Sequence, residues 1–224
     1  MSIEKIGLSK LLKIFGADDR LRRRLIREDL YQERKKLEGS KGPGGDFYVP
    51  FWADAKAYVA SGQDLHVATK VRIQELGQRA ALYPRLRDGF LEWLELARRD
   101  TNRQLVPSER TVHAHHDFPE LHLTLKVDNV MAMHAGSERV RLVYPYFCKE
   151  YELSERWGRV GLWLMKEAFP AVELEEMEIV DVMRGKSISG RRIQFRGDEE
   201  QLFKSRYATI HAEWEALKPR YGLS

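Results

Sequence analysis

A single cysteine, Cys148, stands in 224 residues, so no intramolecular disulfide can form and packing must hold the fold. No apolar run reaches the ~18–20 residues that a helix needs to cross a bilayer. The opening MSIEKIGLSK lacks the unbroken apolar segment of a secretory signal. These absences set membrane partners aside and place the expected location in the cytoplasm. Internal repeats and low-complexity segments are missing too. The one glycine-rich stretch, GSKGPGG from Gly39 to Gly45, has no strand before it and no Gly-Lys-Ser/Thr at its end. It is therefore not a phosphate-binding P-loop and reads as a linker.

Hydrophobic residues make up 43% of the chain, enough for a sizeable core. The net charge of +4 and pI of about 9.1 permit nucleic-acid binding without requiring it. The charge is unevenly spread. One basic group holds Arg22, Arg23, Arg24 and Arg27, with Arg20, Arg34, Lys35 and Lys36 close by. A second, in RGKSISGRRIQFRG, holds Arg184, Lys186, Arg191, Arg192 and Arg196 among small residues that allow close approach. Arginines of this kind make bidentate phosphate contacts. Both groups are candidate nucleic-acid-binding residues, weighed against a plain solvated basic face.

Ile3, Ile6, Leu11, Ile14 and Phe15 recur at helical spacing, and a second helix follows Asp18 or Asp19 as cap. Three more helices are predicted, opening near Pro50, after Asp64 and at Arg85. The last is amphipathic through Leu86, Phe90, Trp93, Leu94 and Ala97. The pattern then turns extended in ERTVHAHHDF, LHLTLKVDNVMAM and RVRLVYPYF, the last two separated by a short loop at Ala135-Gly136-Ser137. Pro145 points to a bulge or an edge in the third of these strands. Ser154 caps a helix that is apolar around much of its girth. Strands at MEIVDVMRG and SISGRRIQF follow, then a final helix capped by Asp198 with Gln201 in capping-box spacing.

The expected fold is α/β (α+β): N-terminal helices, then an αβββαβ core with a mixed sheet flanked by helices. Residues 1–45 form a helical arm and linker in this reading, and residues 46–224 the α/β domain. Trp93, Leu94, Val127, Leu142, Leu164 and Ile179 are expected in one shared core.

From Arg85 the order helix, three strands, helix, strand resembles the core of the PD-(D/E)XK, or restriction-endonuclease-like, superfamily over about residues 85–185. The resemblance implies an Asp on the second strand and a Glu-x-Lys on the third, which bind Mg²⁺ for phosphodiester hydrolysis. Carboxylates suit this hard cation, and the Lys stabilises developing charge. Asp128 in LKVDNV falls at the family Asp, and Glu92 or Glu95 at a helical Glu. Tyr144-Pro145-Tyr146 stands where Glu-x-Lys is expected. Two tyrosines do not replace a carboxylate and an ammonium at neutral pH. The resemblance thus implies a core with a degenerate active site. Such a module binds nucleic acid or a protein partner without a cofactor, as an accessory subunit of a DNA-processing or bacterial phage-defence system. The alternative within the resemblance is a Mg²⁺-dependent nuclease with a migrated site at Asp128, Glu92 or Glu95, and Lys126 or Lys149.

Five histidines lie between His113 and His134. On a strand His113, His115 and Asp117 share a face, and imidazole is a common Zn²⁺ ligand. HAHHDF also resembles the start of the metallo-β-lactamase HxHxDH motif, with Phe118 at its final His. A zinc-binding hydrolase or zinc-stabilised domain is the third reading, against a half-exposed strand that carries imidazoles on its polar face. Cys148 has no base beside it in sequence and reads as structural.

Overall fold

A computed structural model describes residues 3–39, 47–77, 81–100, 105–108, 112–135 and 140–223. In chain order its elements are β1 (Lys5–Gly7), α1 (Leu8–Gly16), α2 (Asp19–Leu37), α3 (Val49–Ser61), α4 (Leu65–Leu76) and α5 (Tyr83–Arg99). Then come β2 (Leu105–Pro107), β3 (Val112–Phe118), β4 (Leu123–Ala135), β5 (Val140–Tyr146), α6 (Glu155–Ala168), β6 (Met177–Asp181), β7 (Lys186–Ser189) and α7 (Glu199–Leu217). The α/β class and the αβββαβ order run through α5, β3, β4, β5, α6 and β6, with β2 as a short addition. Of the linker at residues 39–45 only Gly39 is described, and the loop at Gly136 and Ser137 lies outside the described residues.

Strand β4 is the axis of a mixed sheet. Its first half pairs antiparallel with β3 and parallel with β1; its second half pairs antiparallel with β2 and β5. From β5 the sheet continues parallel to β6 and antiparallel to β7. The two neighbours along one side of β4, β1 and β5, meet different stretches of it. β5 pairs with residues 131–134 and β1 with residues 124–126, so β4 and β5 part between them. Pro145 lies in the part of β5 that has left β4 and keeps only β6 beside it. A residue without an N–H is tolerated there even though β5 is an interior strand.

A bulge divides β4. Ala114 opposes Val127 and Val112 opposes Val130, so β4 carries one residue more than β3 across this step. Asn129 takes the left-handed conformation, φ 64°, which Asn adopts more readily than most side chains. The inserted residue reverses the alternation. Leu123, Leu125 and Val127 point into one core, and after the bulge Val130 and Ala132 do so. Met131 and Met133 point into the other.

The sheet therefore separates two cores, not one. Val127, Leu142, Leu164 and Ile179 lie in the first, covered by α1, α2, α6 and α7. Trp93 and Leu94 lie in the second, covered by α3, α4 and α5. Alternation of side chains along each strand enforces this division.

Residues 3–39 are not set apart as an arm. β1 is a strand of the sheet, and Ile6, Leu8, Leu11, Leu12 and Phe15 are buried with β4 and α6. Helical spacing across Ile3 and Ile6 hides this three-residue strand, since the helix begins at Leu8. At the other end of the chain the cap of α7 differs from the capping-box expectation. Asp198 makes no cap bond and pairs with Arg159 at 2.9 Å. The Glu199 carboxylate instead accepts the backbone N–H groups of Arg196 and Gly197 at 2.8 and 3.0 Å.

Candidate nucleic-acid interface

Asp18 caps α2 by accepting the Leu21 N–H at 2.8 Å. Ile26 and Leu30 anchor the helix in the first core. At 3.6 residues per turn the opposite face carries Arg20, Arg23, Arg24, Arg27 and Tyr31. They line a shallow groove of about 920 Å³ together with Tyr221 and the carboxylates of Asp18, Asp19 and Glu28. Arg20, Arg23 and Arg27 are exposed and make no hydrogen bond or ion pair among the described residues. Arg24 reaches Glu150 at 3.2 Å and Glu28 at 3.5 Å. Lys35 lies over the half-exposed Tyr31 ring, 4.7 Å from its centre.

Arg22 faces the other way. It is 5% exposed and grips the Glu213 carboxylate of α7 through two bonds, at 2.6 and 3.0 Å, with Asp19 at 3.0 Å. Arg22 holds the Glu213 carboxyl below its ordinary range. The sequence reading grouped Arg22 with the phosphate-binding arginines; the structure makes it a tie between α2 and α7. Arg20, which the sequence places beside this group, belongs to the exposed face. Its position four residues before Arg24 and seven before Arg27 is the signal for it.

The second basic group is committed internally. Arg184 bonds the Asp181 carboxylate and the carbonyls of Cys148 and Lys149. Lys186 pairs with Glu152 at 2.8 Å, Arg191 with Glu176 at 3.1 Å and Arg192 with Asp100 at 2.6 Å. Arg196 approaches Glu155 at 3.6 Å.

The fork between β4 and β5 opens a cleft of about 310 Å³. Asp128 lines it, beside Lys10, Lys13, Lys126 and Tyr144. Lys10 pairs with Asp29 at 2.5 Å and Lys13 with Glu150 at 3.1 Å. The Tyr144 hydroxyl accepts the Ser9 N–H at 2.8 Å. Tyr144 and Tyr146 point into the first core, and the bulge leaves Asp128 on the opposite face of the sheet. Glu92 lines a separate cleft, and Glu95 pairs with Arg99 on the surface. The structure does not bring Asp128, Glu92 and Glu95 together. Among the described lining residues Asp128 is the one carboxylate, next to three ammonium groups. That donor set does not suit Mg²⁺, which takes oxygen ligands and carboxylates.

His113, His115 and Asp117 do share the exposed face of β3. The two imidazole rings are 6.5 Å apart; Asp117 accepts the Thr124 hydroxyl at 2.6 Å, and His115 faces Asp128 at 3.8 Å. Among the described residues no three His, Cys, Asp or Glu side chains are grouped as a metal site. Cys148 is buried, its thiol 3.6 Å from Glu150. No helix of the described residues is long and apolar enough to cross a membrane. Comparison with protein-family models and with curated proteins gave no match to this chain.

Proposed function

We propose that this chain is a non-catalytic nucleic-acid-binding module with a PD-(D/E)XK-like core, and that the exposed face of α2 carries the contact. The observation behind this reading is the free state of Arg20, Arg23 and Arg27 on one face of a helix whose other arginines all have partners. Stability asks little of these three: Arg23 acts only at a distance, on the Glu213 carboxylate. Arg20 and Arg23 sit near the positive end of the helix dipole, where a cation costs about 0.3–1 kcal/mol. Guanidinium groups spaced along one helix face suit the phosphates of a backbone, and Tyr31 and Tyr221 offer rings for stacking at the groove. The contact is sequence-tolerant, because arginine on phosphate positions a duplex without reading its bases. An accessory subunit of a DNA-processing or phage-defence system is the setting that fits such a module.

Fluorescence anisotropy with a short duplex and a single strand at several salt concentrations tests this. Three to four phosphate contacts give a slope of about −3 to −4 in log K against log salt on the duplex. Replacing Arg20, Arg23 and Arg27 together by Ala removes most of that slope. A protein that shows no binding near 100 mM salt at micromolar concentration, or a triple variant with an unchanged slope, rejects the reading. An acidic protein partner is then the use left for the face.

A further inference from the structure

We infer a second binding site, for a small anionic ligand of mononucleotide size, in the cleft between the C-terminal half of α5 and strand β7. The cleft encloses about 510 Å³, the size of a small-molecule site. Its shape follows from two glycines. A Cβ on Gly89 would run into the Val182 carbonyl, so α5 touches the β6–β7 turn there. Gly185, at φ 63°, receives Glu92 and the Gly89 carbonyl against its open side. Beyond this pinch point helix and hairpin separate, and the Arg192–Asp100 pair bridges them again at the far end.

The floor contains the unusual feature. Arg141 on β5 is 6% exposed and Glu178 on β6 is 2% exposed, each with apolar neighbours along its strand. One Arg141 nitrogen meets the Glu178 carboxylate at 2.7 Å. The second Glu178 oxygen accepts the Trp93 indole N–H at 3.1 Å. A guanidinium has five N–H donors, and Arg141 makes no other bond among the described residues. The Arg141 donors that do not face Glu178 line the cleft, where an acceptor that enters it can reach them. The Ser187 hydroxyl lies on the same wall; Lys186, Arg191 and Arg192 stand at the rim, each already paired with a carboxylate, so Arg141 is the cation the site offers. Trp93, Leu96 and Ala97 give the opposite wall an apolar surface, flanked by the carboxylates of Glu92 and Asp100. The ligand that fits has anionic oxygens at one end and a flat or apolar body. A phosphate ester and a carboxylate share this chemistry.

The test is thermal unfolding followed by calorimetric titration of the whole chain with AMP, inorganic phosphate and succinate. A ligand at a hundredfold excess over its Kd should raise Tm by about 5–10 °C. AMP and phosphate acting without succinate mark a phosphate ester as the ligand class, and succinate acting alone marks a carboxylate. Arg141→Gln leaves Glu178 without its cation and endangers folding, so Arg141→Gln is combined with Glu178→Gln to keep a neutral pair in the same space. The double variant should bind about 10- to 100-fold more weakly. Arg192→Ala leaves the Asp100 carboxylate unpaired at the rim and should weaken binding by a smaller factor. Arg20, Arg23 and Arg27 changed to Ala should leave the titration unaltered, which separates this site from the face of α2. Failure of all three ligands at 10 mM scale, or equal binding by the double variant, overturns the site.

Discussion

Helix α2 carries six arginines between Arg20 and Arg34, and the stretch from Arg184 to Arg196 carries four arginines and Lys186. In composition both segments suggest a phosphate-binding surface. In the fold they differ. Asp181, Glu152, Glu176, Asp100 and Glu155 converge on the second segment and take each of its cations. Around α2 the acids are engaged with other groups: Asp19 and Glu213 of α7 with the buried Arg22, Glu28 with Arg24, Asp29 with Lys10 and Glu38 with Arg34, while Asp18, Asp19 and Glu28 also line the groove. Arg20, Arg23 and Arg27 are left over. What makes an arginine available is therefore the position of acids distant in sequence, and not the density of arginines around it.

Substitutions can break this contrast, beginning with the largest expected change. Arg22→Ala removes a buried fork and leaves Glu213 without its cation; chemical denaturation should show a loss of about 2–4 kcal/mol. Next is Arg184→Ala, which strips Asp181 of its ion pair and two carbonyls of a donor, at about 2–3 kcal/mol. Neither variant should change the salt slope of nucleic-acid binding once folded. Arg20, Arg23 and Arg27 changed together to Ala should do the reverse, with stability within about 0.5 kcal/mol of the parent and most of the slope gone. Last, Arg192→Ala and Arg196→Ala break exposed pairs and should alter stability by less than about 1 kcal/mol without weakening nucleic-acid binding. A slope that follows the second segment and not α2 would turn the comparison over.

Acid sharpens the same contrast. Arg22 lowers the folded-state pKa of Glu213 from its ordinary 4.5. A lowered carboxyl pKa stabilises the fold above the unfolded value and loses that stability as pH falls through the folded value. Stability should therefore drop below about pH 4.5 by more in the parent than in Glu213→Gln, measured by urea midpoints between pH 3 and 7.

The element order was legible because long periodic segments carry it. The amphipathic face of α5, the Ser154 cap on α6 and the three extended runs all appear where patterning puts them. The Asp128-Asn129 pair forms the bulge of β4, which alternation along the strand does not announce. What patterning does not carry is pairing at a distance. Three residues of β1 are too few to show an alternation, and their partner lies on β4. The same holds for the site. Helical spacing places Arg23 and Arg27 on a face, but the withdrawal of Arg22 to Glu213 depends on α7, at the other end of the chain. Arg141 and Glu178 did leave a trace, as charges with apolar neighbours along their strands; their meeting depends on the β5–β6 register.

Strand β1 also sets a timetable. Its partners, Thr124 to Lys126, are made roughly 120 residues later. At about 5–20 residues per second a ribosome takes some 6–24 s to produce them. Through that interval Leu8, Leu11, Leu12 and Phe15 of α1 have no sheet to cover them, and α2 waits for α7 even longer. The segment from β1 to α2, synthesised first, is thus among the last to find its partners. A nascent apolar helix held open for seconds is what holding chaperones bind, so the yield of folded protein should depend on translation speed between α2 and β4.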